Sequence, residues 1–138
     1  MSEFRELVDV DAMLVTYLKN APELAELGRD RISTDLPTTW GLQADDKSRV
    51  QIYRSGGGRI SPWIERPLID LRVYGSTWQD AFELIAKVDL ALQAIVKRPL
   101  SRGIVSEVQL LTGPVYRKDE DTDIPRYLSS YAMVTHSR

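Results

Sequence analysis

The stretch that decides the fold is Pro67-Leu68-Ile69-Asp70-Leu71-Arg72-Val73-Tyr74-Gly75-Ser76-Thr77, because it passes from a strand directly into a helix. Apolar and polar side chains alternate over residues 67–74, which is typical of a half-buried β-strand. Three of them face one side, namely Ile69, Leu71 and Val73; three face the other, namely Asp70, Arg72 and Tyr74. Gly75 ends the strand, and Ser76 and Thr77 are N-cap candidates for the helix that follows.

That helix has the clearest periodic pattern in the chain. Its apolar residues recur at helical spacing, namely Ala81, Leu84, Ile85, Val88, Leu92 and Ile95. Gln79 and Asp80 stand three residues after the two capping candidates. Pro99 stops the helix, and we expect Trp78, at its start, to lie in the core.

Upstream, a second apolar stripe predicts a shorter N-terminal helix through Val10, Met13, Leu14, Tyr17 and Leu18. A helical turn over residues 22–28 and a short strand over residues 31–34 follow, and residues 38–48 are predicted to form a loop. Residues 49–54 alternate and predict a strand. Residues 55–66 are predicted to leave the sheet, as a flexible turn at Gly56, Gly57 and Gly58 and then an irregular segment.

Downstream, residues 104–112 predict a strand that ends at Gly113 and Pro114. Residues 117–123 carry six charges in seven positions and predict a solvated hairpin loop. Residues 124–135 predict the last strand. The whole chain, residues 1–138, is therefore expected to be one α+β domain. Its largely antiparallel sheet would have four to five strands, with the long helix on one face and the shorter N-terminal helix beside it.

Composition narrows the classes of function. The 138-residue chain has no cysteine, which removes disulfides, thiol catalysis and thiolate metal sites. Its 18 basic and 20 acidic residues give a net charge of −2, so it lacks the basic excess typical of nucleic-acid binding. The first residues carry charges of both signs and do not resemble a signal peptide. No stretch approaches the roughly 18 apolar residues that predict a membrane span.

Three segments were candidates for chemistry. His136, the only histidine, stands two residues from the end of the sequence, where a catalytic group is hard to hold in place. The triple glycine is not followed by the Lys-Ser/Thr and helix of a phosphate loop. The acidic run Asp119-Glu120-Asp121-Thr122-Asp123 lacks the glycine and closing glutamate of a calcium loop. We therefore expect no catalytic site, no cofactor and no metal, and we expect that the protein is not an enzyme.

Candidate interaction residues remain. Trp40 and Trp63 lie in predicted loops, and tryptophan is enriched at protein interfaces, although both are equally compatible with packing against their own domain. The polar side of the deciding strand, with Asp70, Arg72 and Tyr74, has two interpretations. It is either an exposed sheet face with a cross-strand ion pair or a surface toward a neighbouring subunit or a lumen.

The order of these elements resembles a known family. A first helix ends in Ala-Pro-x-Leu-Ala-x-Leu-Gly over residues 21–28, and a strand with a Gly-Gly element follows at residues 49–58. Then Ile69-Asp70-Leu71-Arg72-Val73-Tyr74-Gly75-Ser76 runs into the long helix. This pattern, over about residues 8–135, resembles the tail terminator (tail completion) proteins of long-tailed bacteriophages. The chain departs from it in an insertion at residues 59–66.

The resemblance implies a structural role in the virion, at the neck end of the tail, after assembly in the host cytoplasm. Such proteins form a ring, typically of six copies, that stops tail-tube polymerisation and presents a surface to the head connector. The implied partners are further copies, the major tail tube protein and the connector or neck protein, and not a membrane. The implied lumen passes DNA without specific binding, which suits a net charge of −2.

The resemblance also implies where copies join, namely at sheet edges and through the segment with Gly56, Gly57, Gly58, Arg59, Ile60 and Trp63. Two alternatives remain open. One is a neck or head-completion protein of the same particle. The other is a small homo-oligomeric regulatory domain.

Overall fold

A computed structural model describes residues 4–42, 48–100 and 102–137. These described residues form two α-helices and five strands: α1 (Val10–Lys19), β1 (Ile32–Ser33), β2 (Arg49–Ser61), β3 (Ile64–Tyr74), α2 (Trp78–Gln93), β4 (Gly103–Tyr116) and β5 (Arg126–Ser137). Three short 3-10 helices cover Pro22–Leu24, Arg29–Arg31 and Ala94–Lys97. This arrangement confirms the predicted α+β class.

The strands form one five-stranded sheet in the order β1-β2-β3-β5-β4. The β1–β2 pair is parallel, and the other three pairs are antiparallel. Two long hairpins, β2–β3 and β4–β5, therefore lie side by side with β3 and β5 at their junction. The chain crosses between them through α2.

The core lies between the two helices and one face of the sheet. It combines buried residues of α1, of α2 and of the central strands, including Met13, Leu14, Leu18, Ile52, Ile69, Leu71, Val73, Ile85, Val88, Leu92 and Met133. The alternation predicted for the deciding strand is confirmed for Ile69, Leu71 and Val73. We call the opposite face of the sheet, which the helices leave uncovered, the outer face.

Local capping fixes where both helices begin. The Asp9 carboxylate accepts a hydrogen bond from the Ala12 amide at 3.1 Å, and the Thr77 hydroxyl accepts one from the Asp80 amide at 3.1 Å. These bonds satisfy amides of the first turn that lack a partner inside the helix. Thr77 was one of the two capping candidates identified in the sequence.

The prediction of an irregular segment over residues 55–66 is wrong. β2 continues to Ser61, the chain turns at Pro62 and Trp63, and β3 begins at Ile64. The glycines pair with β3, as Gly57 opposite Pro67 shows, and a β-bulge accommodates the extra residue between Arg54 and Gly56. The ladder to β3, which is itself paired with β5, outweighs the poor strand propensity of glycine. We call residues 55–66 the hairpin arm and residues 60–63 the arm tip.

Other boundaries also differ from the predictions. β4 runs through Gly113 and Pro114 to Tyr116 instead of ending there, because it is an edge strand with register shifts, where proline is tolerated. His136 belongs to β5 and pairs with β3 and β4, so it is held in the sheet. Trp78 is 60% exposed and not in the core; the residue that the first turn of α2 buries is Ala81.

Candidate assembly surface

Trp40 packs against its own domain. Its ring meets Tyr74 edge-on with centroids 5.0 Å apart, and its indole nitrogen donates a hydrogen bond to the Asp119 carboxylate at 3.3 Å. The segment that carries Trp40 thereby covers one end of the outer face. Tyr74 is consequently fully buried, and the prediction that it belongs to an exposed face is wrong.

The acidic loop is folded inward at one residue. Asp119 is buried and also accepts hydrogen bonds from the Asp121 amide at 3.1 Å and the Thr122 hydroxyl at 3.0 Å. Its carboxylate therefore joins this loop to Trp40, whereas the sequence predicted a solvated hairpin loop. Within residues 4–42, 48–100 and 102–137, no group of three or more acidic or histidine side chains is placed to hold a metal ion.

The middle of the outer face carries half-exposed polar side chains. Asp70 accepts hydrogen bonds from the hydroxyls of Ser55 at 3.2 Å and Ser130 at 3.1 Å, so the predicted cross-strand ion pair is replaced by serine contacts. The Arg72 guanidinium lies 5.6 Å from the ring centre of Tyr53 on β2. Asp70 and Arg72 thus lie side by side on a half-exposed part of the sheet.

The arm tip is an exposed apolar projection. Trp63 is 48% exposed and Ile60 is 59% exposed. The tip is braced from one side, since the Arg5 amide donates to the Pro62 carbonyl at 3.0 Å. Arg59 closes it by donating to the carbonyls of Pro62 and Arg5, each at 2.9 Å. The predicted flexible turn is in fact a supported β-hairpin.

The root of the arm contains a buried charge that the sequence analysis missed. Glu65 is 3% exposed and accepts a hydrogen bond from the Val8 amide at 3.0 Å and one from the Arg54 guanidinium at 2.8 Å. The Arg54 amide in turn donates to the Asp11 carboxylate at 2.6 Å. The alternation along β3 could have indicated this burial, because it places Glu65 on the same side of the strand as Ile69.

A second surface, also missed, lies between α2 and the edge strand β4. It is a mainly apolar depression of about 360 Å³, lined by Ile85, Ala86, Asp89, Leu90, Leu110, Pro114, Ser129 and Tyr131. We call it the side groove. Two of its apolar walls face solvent, with Leu90 62% and Leu110 38% exposed. Neither wall was found from the sequence, since their meeting depends on how α2 crosses the sheet.

The floor of the side groove is set by one hydrogen bond. The Tyr131 hydroxyl donates to the Asp89 carboxylate at 2.7 Å. Burial raises the pKa of the Tyr131 phenol above its ordinary range, and the contact with Asp89 raises it further. The phenol therefore stays neutral, and its hydrogen keeps Asp89 at the groove floor.

Histidine 136 has one polar side-chain contact, in which its Nε2 lies 3.0 Å from the Ser106 hydroxyl of the neighbouring strand. A hydrolytic site also needs a group that orients the histidine and donors that stabilise an oxyanion. The described hydrogen bonds of His136 include no carboxylate partner.

None of the helices in the described part of the chain is long and apolar enough to cross a bilayer.

No protein-family model matches the chain. No curated protein matches it either. A solved chain from the virion of a native gene transfer agent (GTA) particle is similar in structure, with a TM-score of 0.61 at 15% sequence identity. The similarity covers 93% of this chain and 95% of that chain, so the two have similar folds over nearly their whole lengths.

Proposed function

We propose that this protein is a structural component of a phage-like virion. The observation that carries the proposal is the end-to-end structural similarity to a chain of the gene transfer agent virion, which leaves little of either chain unmatched. The features that stand out on the surface support it. They are an exposed arm tip and an apolar side groove, which suit contacts between proteins.

Within that class, we propose the role of a tail terminator. Copies of the chain form a ring, of six subunits, on the head-proximal end of the tail tube, stop its polymerisation and present a surface to the head connector. The order of elements over residues 8–135 supports this, as does a net charge of −2, which suits a lumen that DNA crosses without being held. The role assigns no catalytic chemistry, cofactor or metal to the chain.

The test is to delete the gene in the phage or prophage that encodes the chain and to image the particles by electron microscopy. Loss of a terminator leaves free heads and detached tails of irregular or excessive length. Complementation with the natural chain restores joined particles with tails of one length. Tails of normal length joined to full heads in the deletion strain would refute the proposal.

The same images distinguish the neck alternative. A neck or head-completion protein joins parts that are already finished, so its loss leaves tails of normal length separated from full heads. That outcome would retain the virion role and reject termination. Unchanged particles, with the chain absent from purified virions by mass spectrometry, would reject the virion role altogether.

A further inference from the structure

The arm tip lies beyond the anchored part of its hairpin. At the root of the arm, Ile64 pairs with His136 on β5, so the start of β3 is fixed in the sheet. A register shift between Arg59 and Ser61 interrupts the ladder to β3 where the tip begins. No described strand borders this part of β2 on its other side, since β1 pairs with β2 only near its first residues. The position of the tip therefore depends on support from outside the ladder.

That support comes from residues 4–7, which we call the strap. The Arg5 amide donates a hydrogen bond to the Pro62 carbonyl at 3.0 Å. The Arg59 guanidinium joins the same two residues, because it donates to the carbonyls of Pro62 and Arg5, each at 2.9 Å. It also lies 5.4 Å from the centre of the Phe4 ring. One arginine thus clasps the strap to the turn and fixes the peptide group that follows Pro62.

The strap has one fixed end and one loose end. Val8, directly after it, is 8% exposed and donates its amide hydrogen to the buried Glu65 carboxylate, and the next residue caps α1. The strap itself is exposed, including two large apolar side chains, Phe4 at 62% and Leu7 at 60%. A segment with exposed hydrogen bonds and little buried apolar surface opens locally far more often than the whole domain unfolds.

We propose that the strap is a releasable support for the arm tip, with Arg59 as its clasp. With the strap docked, the turn is closed, and Ile60 and Trp63 are held in one position relative to the sheet. With the strap detached, the turn loses its backbone donor and the tip becomes mobile, while the root of the arm stays in place. The strap thus sets whether this exposed apolar projection is fixed or mobile. The inference concerns the single chain and does not rest on the proposed function.

The three tryptophans of the chain allow a direct test by fluorine NMR after labelling with 5-fluorotryptophan. Trp63 reports on the arm tip, Trp40 on the packed end of the outer face and Trp78 on the start of α2. Single tryptophan-to-phenylalanine variants assign the three resonances. The disrupting variant is Arg5→Pro/Arg59→Ala, which removes both the amide donor of the strap and the clasp.

In the disrupting variant, the Trp63 resonance is expected to move toward its position in the urea-unfolded chain, while the other two resonances stay in place. Deuterium exchange followed by mass spectrometry is expected to become about 10-fold faster over residues 59–63, because the hydrogen bonds that close the turn are lost. Exchange over residues 69–73, in the middle of the sheet, is expected to be unchanged.

The matched control is Glu6→Ala/Arg66→Ala, which also changes one strap residue and one arm arginine. Arg66 contacts Gln109 on β4 and not the strap, so the control is expected to leave the Trp63 resonance in place. Arg59→Lys keeps the charge but lacks the planar fork that bridges two carbonyls, and it is expected to give an intermediate shift. This milder variant decides the question in the same way if the double variant does not fold.

Three results would overturn the proposal. An unmoved Trp63 resonance without the clasp would mean that the tip holds its position independently of the strap. Equal shifts of Trp63 and Trp40 would mean that the fold as a whole is loosened. A control variant that moves Trp63 as far as the disrupting variant would mean that the strap contacts have no special role.

Discussion

Glu65 and Arg54 form an ion pair at the root of the hairpin arm, with Oε1 and Nη1 2.8 Å apart and the glutamate side chain only 4% exposed. The other carboxylate oxygen accepts the Val8 amide hydrogen. One side chain therefore joins β3, β2 and the N-terminal segment, and it holds the arm that carries Trp63.

Replacing Glu65 by alanine is expected to destabilise the fold by roughly 3 kcal/mol, because it leaves the Arg54 charge and the Val8 amide without their partner in a mostly buried site. Urea denaturation followed by circular dichroism measures the loss. The matched control is Glu107→Ala on the exposed edge strand, which is expected to change stability by less than about 0.5 kcal/mol. Equal effects of the two substitutions would contradict a structural role for Glu65.

The backbone of the arm requires glycine at Gly57 but not at Gly58. Gly57 has φ of +89°, and a Cβ there would overlap the carbonyl oxygen of Arg66, whereas a Cβ at Gly58 meets nothing within 4 Å. Gly57→Ala is therefore expected to cost about 1–3 kcal/mol from strained backbone, and Gly58→Ala is expected to be close to neutral. Thermal denaturation of both variants checks this, and a neutral Gly57→Ala would show that the hairpin does not need the left-handed conformation.

The same arm shows which parts of the structure could be predicted from the sequence and which could not. The alternation of Ile69, Leu71 and Val73 and the stripe of α2 were readable because burial follows a local period. The long β2–β3 ladder was not, because three glycines give no local strand signal and their pairing comes from tertiary contacts with β3.

Among the candidate interaction surfaces, too, some features could be predicted from the sequence and others depend on tertiary contacts. Trp63 was predicted to be an interaction residue from its residue type, and the structure shows that it is exposed at the arm tip. Trp40, chosen on the same grounds, is joined to Asp119 from a loop 79 positions away, a contact that no local pattern reveals. The side groove needs Leu90 and Leu110 from different elements, so only the crossing of α2 over the sheet creates it.

At low pH, one ion pair between helical segments is expected to be lost. Arg98, after α2, donates both guanidinium arms to Glu23, at 2.9 and 2.8 Å. These hydrogen bonds from Arg98 hold the pKa of the Glu23 carboxyl below its usual value of 4.5. Because the folded state lowers this pKa, the pair's contribution is complete above pH 4.5 and disappears as the pH falls through the lower folded value.

Two-dimensional NMR of the carboxyl carbons against pH measures this titration. In the natural chain, the Glu23 carboxyl is expected to titrate below its usual value of 4.5. In Arg98→Gln, the Glu23 midpoint is expected to rise toward 4.5, and the stability difference between the two proteins is expected to shrink below pH 4.5. A Glu23 midpoint that does not move would show that the pair does not persist in solution.

At high pH, the hydrogen bond of Tyr131 predicts the opposite dependence. Burial, reinforced by Asp89, raises the folded pKa of this phenol above its usual value of 10.0. A raised folded pKa gives stability that is complete below pH 10 and is lost as the pH rises, because only the unfolded chain releases the proton readily.

The natural protein is therefore expected to lose stability above pH 10 more steeply than Tyr131→Phe, which has no phenol to ionise. Urea denaturation at a series of pH values from 8 to 11 compares the two, with Tyr116→Phe, an exposed tyrosine, as control. Parallel curves for the natural chain and Tyr131→Phe would mean that the phenol ionises in the folded state and that the floor of the side groove opens to water.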